Sequence, residues 1–328
     1  MKKTSAAQST MKILVTGSAG HLGEALMRTL RASTHDAVGI DVLPSPYTDA
    51  VGSIVDRAFV ANAMRGVDAV LHAATLHKPH VETHPRQAFI DVNVTGTLNL
   101  LEEAVATRVG AFVFTSTTST FGDALSPAPD APAAWITEDV VPIPKNIYGI
   151  TKLAAEDLCA LMYRLHRLPC IVLRTSRFFP EDDDRPERAS AHVDANLKLN
   201  ELLYRRADLE DIVEAHLLAL QRAPAIGFDR YIVSATTPFT RDDLTALRRD
   251  PSAVVASRVP AFRDQYARRA WTMPDDIDRV YVNARARAAL GWQPRHDFAA
   301  WIARLARDED FGSALARAVG KKDYHRAR

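Results

Sequence analysis

The feature that most constrains this chain is a glycine-rich turn near its start. Gly17, Gly20 and Gly23 have the spacing G-x-x-G-x-x-G, directly after the apolar run ILVT and before a helical pattern that extends to Leu30. Such a turn brings the backbone close to a pyrophosphate, which the N–H groups and the positive dipole end of the helix then bind. Asp41 ends a second apolar run, AVGID, soon afterwards. This context predicts a dinucleotide site at the first strand-to-helix turn.

Short apolar runs and helical patterns alternate through the first half of the chain. The strand-like runs are KILVTG, AVGID, VDAVLHAA, GAFVFTS and PCIVLRTS, and apolar residues at helical spacing lie between them. This order predicts an α/β fold of the Rossmann type, a doubly wound parallel sheet with helices on both faces. Ligands of such sheets bind beyond the carboxyl ends of the strands. The rhythm changes after residue 178, which predicts a smaller C-terminal substrate-binding lobe.

These patterns also predict where the parts of the chain begin and end. The first ten residues lack the apolar segment of a signal peptide, and we expect a disordered extension there. The predicted parts are an extension over 1–10, a nucleotide-binding domain over 11–178 to which 207–235 return, and a lobe made of 179–206 and 236–328.

Composition excludes several classes of protein. Of 328 residues, 41 are Lys or Arg and 40 are Asp or Glu, so charge does not favour nucleic acid or a membrane surface as a partner. The sequence contains no run of about 18 apolar residues, the length that a membrane-spanning helix needs. Two cysteines, Cys159 and Cys170, fit buried thiols in a reducing compartment better than a disulfide framework. We therefore expect a cytoplasmic protein.

A tyrosine and a lysine indicate proton transfer. Tyr148 and Lys152 are four residues apart in YGITK, which places both on one face of a predicted helix. An ammonium beside a phenol favours the phenolate, so we expect the pKa of Tyr148 to fall from its usual value. Such a tyrosine can take a proton from a carbinol while a hydride leaves the same carbon. The alternative is an ordinary surface pair, because the spacing also occurs by chance.

A run of hydroxyl residues follows the fourth strand-like run. The segment FVFTSTTSTFG places Ser116 and Thr117 at the carboxyl end of a predicted parallel strand, on the ligand side of the sheet. A hydroxyl there can bind the reacting oxygen and orient the tyrosine. The alternative is a threonine run that merely favours strand structure and has solvated tips. That alternative fits poorly with a glycine turn, an acidic residue after the second strand and Y-x-x-x-K in this order.

On these motifs the chain resembles the extended short-chain dehydrogenase/reductases of the NAD-dependent epimerase/dehydratase family, with UDP-glucose 4-epimerase-like members. The resemblance extends from Met11 to about Leu305. It implies catalysis by Thr117, Tyr148 and Lys152 with help from Ser116. It also implies NAD, not NADP, because no arginine closely follows the acidic residue of the second strand. The implied cofactor contacts are Gly17, Gly20, His21, Leu22, Gly23, Asp41, Ser53, Ile54, His72, Ala73, Ala74, Thr75, Asn93, Thr115, Ser116, Tyr148, Lys152 and Thr175.

The chain departs from the family pattern on the substrate side. Ser53 replaces an acidic adenine contact, and Arg177 stands where an asparagine commonly meets the substrate. The region that grips a nucleoside diphosphate is short, with Arg205 or Arg206 as a replacement for its arginine. A smaller sugar, a sugar acid or a lactone-forming substrate therefore joins the nucleotide sugars as candidates. The predicted substrate contacts are His77, Lys78, Thr117 and Arg177; no metal site is predicted.

The resemblance leaves three functions open. The first is an epimerase or dehydratase acting on a sugar or nucleotide sugar, most simply a 4-epimerase that returns the hydride. The second is an NAD-dependent sugar or uronate dehydrogenase that releases NADH, and the third is a non-catalytic NAD-binding protein. The family further implies a homodimer whose interface pairs the helices 88–106 and 148–166.

Overall fold

The computed structural model describes residues 10–180 and 193–322, where seven parallel strands form one sheet in the order β3-β2-β1-β4-β5-β7-β8. Most of the predicted extension over 1–10 and part of the lobe segment 179–206 lie outside the described residues. The strands are β1 Lys12–Thr16, β2 Asp36–Asp41, β3 Ala50–Val51, β4 Ala69–His72, β5 Ala111–Thr117, β6 Ala134–Ile136, β7 Cys170–Thr175, β8 Phe228–Val233 and β9 Arg279–Tyr281. The remaining two, β6 and β9, pair with each other in a separate small sheet.

Helices connect the strands, as the alternating pattern predicts. They are α1 His21–Arg31, α2 Arg57–Ala63, α3 Arg86–Phe89, α4 Gly96–Ala106, α5 Ile147–His166, α6 Asp194–Leu202, α7 Leu209–Ile226, α8 Leu244–Leu247, α9 Pro251–Arg258, α10 Phe262–Arg269, α11 Ala284–Leu290, α12 Phe298–Leu305 and α13 Ala314–Val319. A π-helical turn, Ile90–Thr95, joins α3 to α4. None of the helices in the described ranges is long and apolar enough to cross a membrane.

The large sheet is covered on both faces. Ile13 and Val15 of β1 pack towards α1 and α7, whereas Leu14 between them packs towards α2, α4 and α5. Successive side chains of a strand point to opposite faces, so a strand buried on both sides is apolar throughout. The predicted α/β fold of the Rossmann type is confirmed.

Some contacts join segments that the sequence assigns to different predicted parts of the chain. The strand β6, within 11–178, pairs with β9 and belongs to the small sheet. The helices α11 and α13, within 236–328, pack against the large sheet through Leu290 and Val319, as does Trp292 just after α11. A third apolar cluster, which includes Phe298 and Trp301, contains no residue of the large sheet. The alternation of apolar and polar residues in the sequence predicts which helices and strands form. The contacts of β6, α11 and α13 with distant segments depend on tertiary packing, which that pattern does not reveal.

Candidate active site

The glycine turn lies at the carboxyl edge of β1 and has no space for side chains. Gly17 has φ +75°, and a Cβ there would lie 2.8 Å from the backbone nitrogen of Ala74. A Cβ on Gly23 would lie 1.9 Å from the carbonyl oxygen of Gly17. Gly20 precedes α1, and no described side chain caps the first N–H groups of that helix. The turn therefore offers a tight backbone cradle and a helix N-terminus to a pyrophosphate.

The end of β2 lies beside this cradle. One carboxylate oxygen of Asp41 accepts a hydrogen bond from the backbone N–H of Ala19 at 3.0 Å, and the other accepts from Leu43 N–H at 2.9 Å. Asp41 is thus held at the mouth of the glycine turn, where a carboxylate can bind two ribose hydroxyls. Ser53 and Ile54 follow β3 at the same edge; Ser53 Oγ accepts from a backbone N–H at 3.2 Å, and Ile54 is buried.

Asp41 is expected to make the protein select NAD over NADP. A carboxylate repels the additional phosphate of NADP, so NADP should bind at least about 100-fold more weakly than NAD, which corresponds to about 3 kcal/mol. Asp41→Ala should reduce this ratio to about tenfold or less, whereas Asp36→Ala, at the exposed opposite end of β2, should leave it unchanged. Calorimetric titration with both nucleotides measures the ratio. Equal affinities in the unmodified protein would contradict the assignment.

The proposed catalytic hydroxyl groups lie one strand position apart but point in different directions. Thr117, the last residue of β5, lies beside the phenol of Tyr148 near the start of α5 and lowers its pKa. Thr117 Oγ1 also accepts from the backbone N–H of Ser119 at 3.1 Å. Ser116 Oγ instead donates to the carboxylate of Glu156 at 2.6 Å. The structure therefore brings Thr117 to Tyr148 and holds Ser116 away from it, because successive side chains of a strand alternate.

Lys152 is buried behind the tyrosine. Its Nζ donates to the carbonyl oxygen of Thr115 at 2.6 Å and lies 4.0 Å from the ring centre of Phe114. Burial lowers the pKa of Lys152 to about 7, although the charges of Glu156 and Cys159 act in the opposite direction. A lysine with this environment is readily neutralised near physiological pH.

The structure does not support the expectation that Lys152 lowers the pKa of Tyr148. Burial raises the pKa of Tyr148 to about 12, and Thr117 opposes this rise only in part. The physical reason is that the phenol is buried and the lysine ammonium is directed to Thr115. Burial therefore favours the neutral phenol of Tyr148 at physiological pH.

The buried ammonium should cost stability in a pH-dependent manner. Below pH 7 both the folded and the unfolded chain hold the proton of Lys152, and the burial cost is complete. Between about 7 and 10.5 the unfolded chain binds more protons, so the stability due to this group rises with pH. Lys152→Met should therefore raise the free energy of unfolding by about 1–3 kcal/mol below pH 7, after the lost hydrogen bond is deducted. Denaturant unfolding at several pH values measures this gain in the free energy of unfolding, which should be smaller at pH 10 than below pH 7. A variant that is less stable than the unmodified protein by the same amount at every pH would contradict the prediction.

His72 and Asn93 form a polar network between the cradle and α5. His72 is buried, with Nδ1 at 2.7 Å from Thr16 Oγ1 and Nε2 at 2.9 Å from Thr97 Oγ1. Burial lowers the pKa of His72 well below its usual value, with a further effect of the Lys152 charge, so the ring is neutral.

Asn93 extends this network through the π-helical turn. Its amide oxygen accepts from Leu76 N–H at 2.8 Å and from Thr75 Oγ1 at 2.9 Å, and its amide nitrogen donates to Thr151 Oγ1 at 3.0 Å. Thr151 lies between the tyrosine and the lysine on α5, so Asn93 connects the end of β4 to the catalytic helix. Ala73 and Ala74 border the cradle through their backbone, and Ala74 N–H donates to Thr16 Oγ1 at 3.1 Å. Both His72 and Asn93 thus act as structural links.

The predicted substrate residues border the same edge from two sides. The ring of His77 stacks on Phe179 with centroids 5.5 Å apart and meets the edge of His80 at 4.5 Å. Lys78 begins the short 3-10 turn after β4. No group of three or more metal-ligating side chains occurs among the described residues.

Three arginines surround one buried glutamate on the other side. Arg177 follows β7, and its Nη1 lies 3.9 Å from Glu201 Oε1. Arg206 is buried and its Nε donates to Glu201 Oε2 at 2.8 Å, while Arg205 pairs with Oε1. Burial raises the pKa of Glu201, but the three positive charges outweigh it and lower the pKa to about 2. The sequence left open which of Arg205 and Arg206 approaches the site; the structure places both on Glu201.

The chain is similar in sequence and structure to several known proteins. A sequence model described as the NAD dependent epimerase/dehydratase family matches residues 13–231, a range that includes the glycine turn and Tyr148. The UDP-glucose 4-epimerase of Lactobacillus helveticus is 26% identical, with 88% of this chain and 93% of that protein covered. The dTDP-glucose 4,6-dehydratase of Streptomyces antibioticus is 31% identical, with 90% and 91% covered. A short-chain dehydrogenase/reductase superfamily protein from Agrobacterium tumefaciens with bound NAD is 25% identical, has a TM-score of 0.63, and covers 90% of this chain and 99% of its own.

Proposed function

Because this chain belongs to the NAD-dependent epimerase/dehydratase family, we propose that it is a nucleotide-sugar 4-epimerase that uses Tyr148 as its acid–base group. The observation that carries the proposal is the proximity of Thr117 to the buried phenol of Tyr148, with Lys152 one turn further along α5. This pair lies at the same sheet edge as the glycine cradle. A substrate hydroxyl and a dinucleotide can therefore meet there.

The geometry assigns a separate task to each residue. Thr117 binds the substrate hydroxyl and keeps it in line with Tyr148, whose phenolate oxygen accepts the proton and, as the phenol, later returns it. When the amine of Lys152 is protonated, it places a positive charge behind the phenol. Bound NAD supplies the hydride acceptor and a positive ring, which favours the tyrosinate. The buried site excludes water, so that these charges interact strongly.

Return of the hydride distinguishes this proposal from its main alternative. An epimerase keeps its keto intermediate and returns the hydride to the opposite face, whereas a dehydrogenase releases a product and NADH. The relatives described as UDP-glucose 4-epimerase support the first outcome.

A substrate panel tests the proposal. Purified protein is incubated with UDP-glucose, UDP-galactose, UDP-glucuronate and dTDP-glucose, while absorbance of reduced nicotinamide and product composition are followed. Conversion of one sugar to its epimer without lasting NADH absorbance supports the proposal. NADH growing in proportion to added NAD identifies a dehydrogenase, and loss of water from the sugar identifies a dehydratase.

We further propose a homodimer through α4 and α5. These helices pack side by side, and exposed apolar side chains lie on α5 and on the π-helical turn before α4, with Ile150 50% and Ile90 40% exposed. Ile150→Glu should shift the protein to the monomer in sedimentation measurements, because it inserts a charge into an apolar interface. Val141→Glu, a control at a 73% exposed position before α5, should leave the assembly unchanged. A monomer for the unmodified protein at micromolar concentration would contradict the interface.

A further inference from the structure

A buried carboxylate lies directly behind the catalytic pair. Glu156 is on α5, one turn beyond Lys152, and its side chain is 0% exposed. It accepts hydrogen bonds from Ser116 Oγ at 2.6 Å, from Arg174 Nη2 at 2.8 Å and from Arg230 Nε at 3.0 Å. These donors belong to β5, β7 and β8. One helix is thereby tied to three adjacent strands through a single side chain.

Such an arrangement is costly unless its geometry is well defined. A buried ion loses several kcal/mol of hydration, which only close and well-directed partners return. Arg174 meets Glu156 through two nitrogens, and it also lies 5.0 Å from the ring centre of Phe121. A pair of this kind has one favourable geometry and resists sliding of the helix along the sheet.

The anchoring points lie next to the reacting groups. Ser116 directly precedes Thr117 on β5, and Thr175, which follows Arg174, donates from its Oγ1 to the carbonyl oxygen of Ser116 at 3.0 Å. On α5, Glu156 lies one turn beyond the lysine and two turns beyond Tyr148, on the same face. A shift of α5 relative to β5 would therefore change the alignment of the phenol and Thr117 directly.

We propose that Glu156 is a positioning residue for the reaction, which fixes Tyr148 and Lys152 against Thr117 by tying α5 to β5, β7 and β8. This inference rests on the proposed function. Ser116 then acts through Glu156 and does not touch the substrate.

The same carboxylate also affects the charge of the lysine. The groups that face Lys152 are Glu156 and Cys159 on its own helix, both of which raise its pKa, and neutral His72 on β4. The phenyl ring of Phe114 and the Thr115 carbonyl complete its surroundings on β5. Without the Glu156 charge, Arg174 and Arg230 would remain as positive neighbours, and the pKa of Lys152 would fall further.

The variant Glu156→Gln tests the positioning role. It retains the size of the side chain and an acceptor for Ser116 but removes the charge. We expect kcat to fall about 10- to 100-fold with KM changed less than threefold, because alignment affects the transition state more than binding. We also expect the pH at which NAD affinity is half lost on the alkaline side to move down by about one unit, since Lys152 is among the cofactor contacts that the family resemblance implies and loss of the Glu156 charge lowers its pKa.

The neighbouring carboxylate provides a matched control. Asp157 is 70% exposed and also pairs with Arg230, at 2.8 Å. Asp157→Asn should leave kcat, KM and the pH profile of NAD binding unchanged. If Glu156→Gln does not fold, Ser116→Ala removes a single donor and should lower kcat about tenfold with a folded protein.

The possible outcomes are distinguishable. Unchanged kcat and an unchanged pH profile of NAD binding in Glu156→Gln would overturn the inference, as would a lower melting temperature with neither change. NAD binding is measured without substrate, so its pH profile reports on Glu156 even if the proposed reaction is wrong. Failure of the proposed function would instead show as full activity of a Tyr148→Phe variant or no turnover of any nucleotide sugar by the unmodified protein.

Discussion

Tyr148→Phe is expected to lower kcat about 10³-fold. The variant removes only the phenolic oxygen, which is the group that accepts and returns the substrate proton, and such acid–base groups contribute 10² to 10⁴ in rate. The ring stays in place because it is buried beside the start of α5. Substrate KM should change little, and the thermal shift produced by NAD should remain. Initial rates with the substrate found in the panel measure the loss.

The control for this variant lies on the same helix. Tyr163 is half-buried near the end of α5, and its ring stacks on Phe228 with centroids 6.3 Å apart, far from the proposed site. Tyr163→Phe should retain full activity. A Tyr148→Phe variant that keeps more than one tenth of kcat would show that another group transfers the proton, and the assignment of the acid–base residue would be wrong.

Gly23→Ala is expected to abolish useful NAD binding. An added Cβ would lie 1.9 Å from the carbonyl oxygen of Gly17 and 2.8 Å from the Cα of Ser18. Both are backbone atoms, which cannot move aside as a flexible side chain can. The turn can accept the methyl group only by moving away from α1, which opens the cradle for the pyrophosphate. We expect at least a 100-fold loss of NAD affinity, or about 3 kcal/mol, and a protein that is no longer stabilised by NAD.

A control substitution at a glycine that has room for a Cβ distinguishes this effect from that of replacing any glycine by alanine. A Cβ on Gly110, in the turn before β5, would lie 3.5 Å from the carbonyl oxygen of Asp68, an ordinary contact. Gly110→Ala should retain NAD affinity within a factor of two. Titration of both variants with NAD, followed by tryptophan fluorescence or calorimetry, gives the comparison. Unchanged affinity in Gly23→Ala would show that the dinucleotide binds elsewhere.

The parts of the site that sequence could predict depend on local geometry. The spacing of Gly17 and Gly23 specifies a turn in which neither position can hold a side chain. In the structure, a Cβ at either position would collide with neighbouring backbone atoms. The four-residue spacing of Tyr148 and Lys152 places both on one face of a helix. The alternation of strands and helices along the chain predicts a parallel sheet, at whose carboxyl edge this helix face meets Thr117. These motifs sufficed for the fold and the family, and both predictions are confirmed.

The parts that sequence could not predict depend on burial and on contacts between distant elements. The direction of Ser116 follows from its pairing with Glu156, which is 40 residues away and looks like an ordinary surface carboxylate on a helix. The fall in the pKa of Lys152 and the rise in that of Tyr148 both follow from burial, which no spacing rule measures. The position of Glu156, four residues beyond the lysine, was the one signal in the sequence that could have indicated the network.

The most direct test of the central claim follows the fate of the hydride. UDP-glucose deuterated at C4, or the nucleotide sugar that the panel identifies, is incubated with the protein in ordinary water, and the products are examined by NMR and mass spectrometry. The proposal predicts an epimer that retains its deuterium at C4, with no accumulation of reduced nicotinamide. Loss of the deuterium to water, its appearance on another carbon, or its accumulation in released reduced nicotinamide would contradict a 4-epimerase.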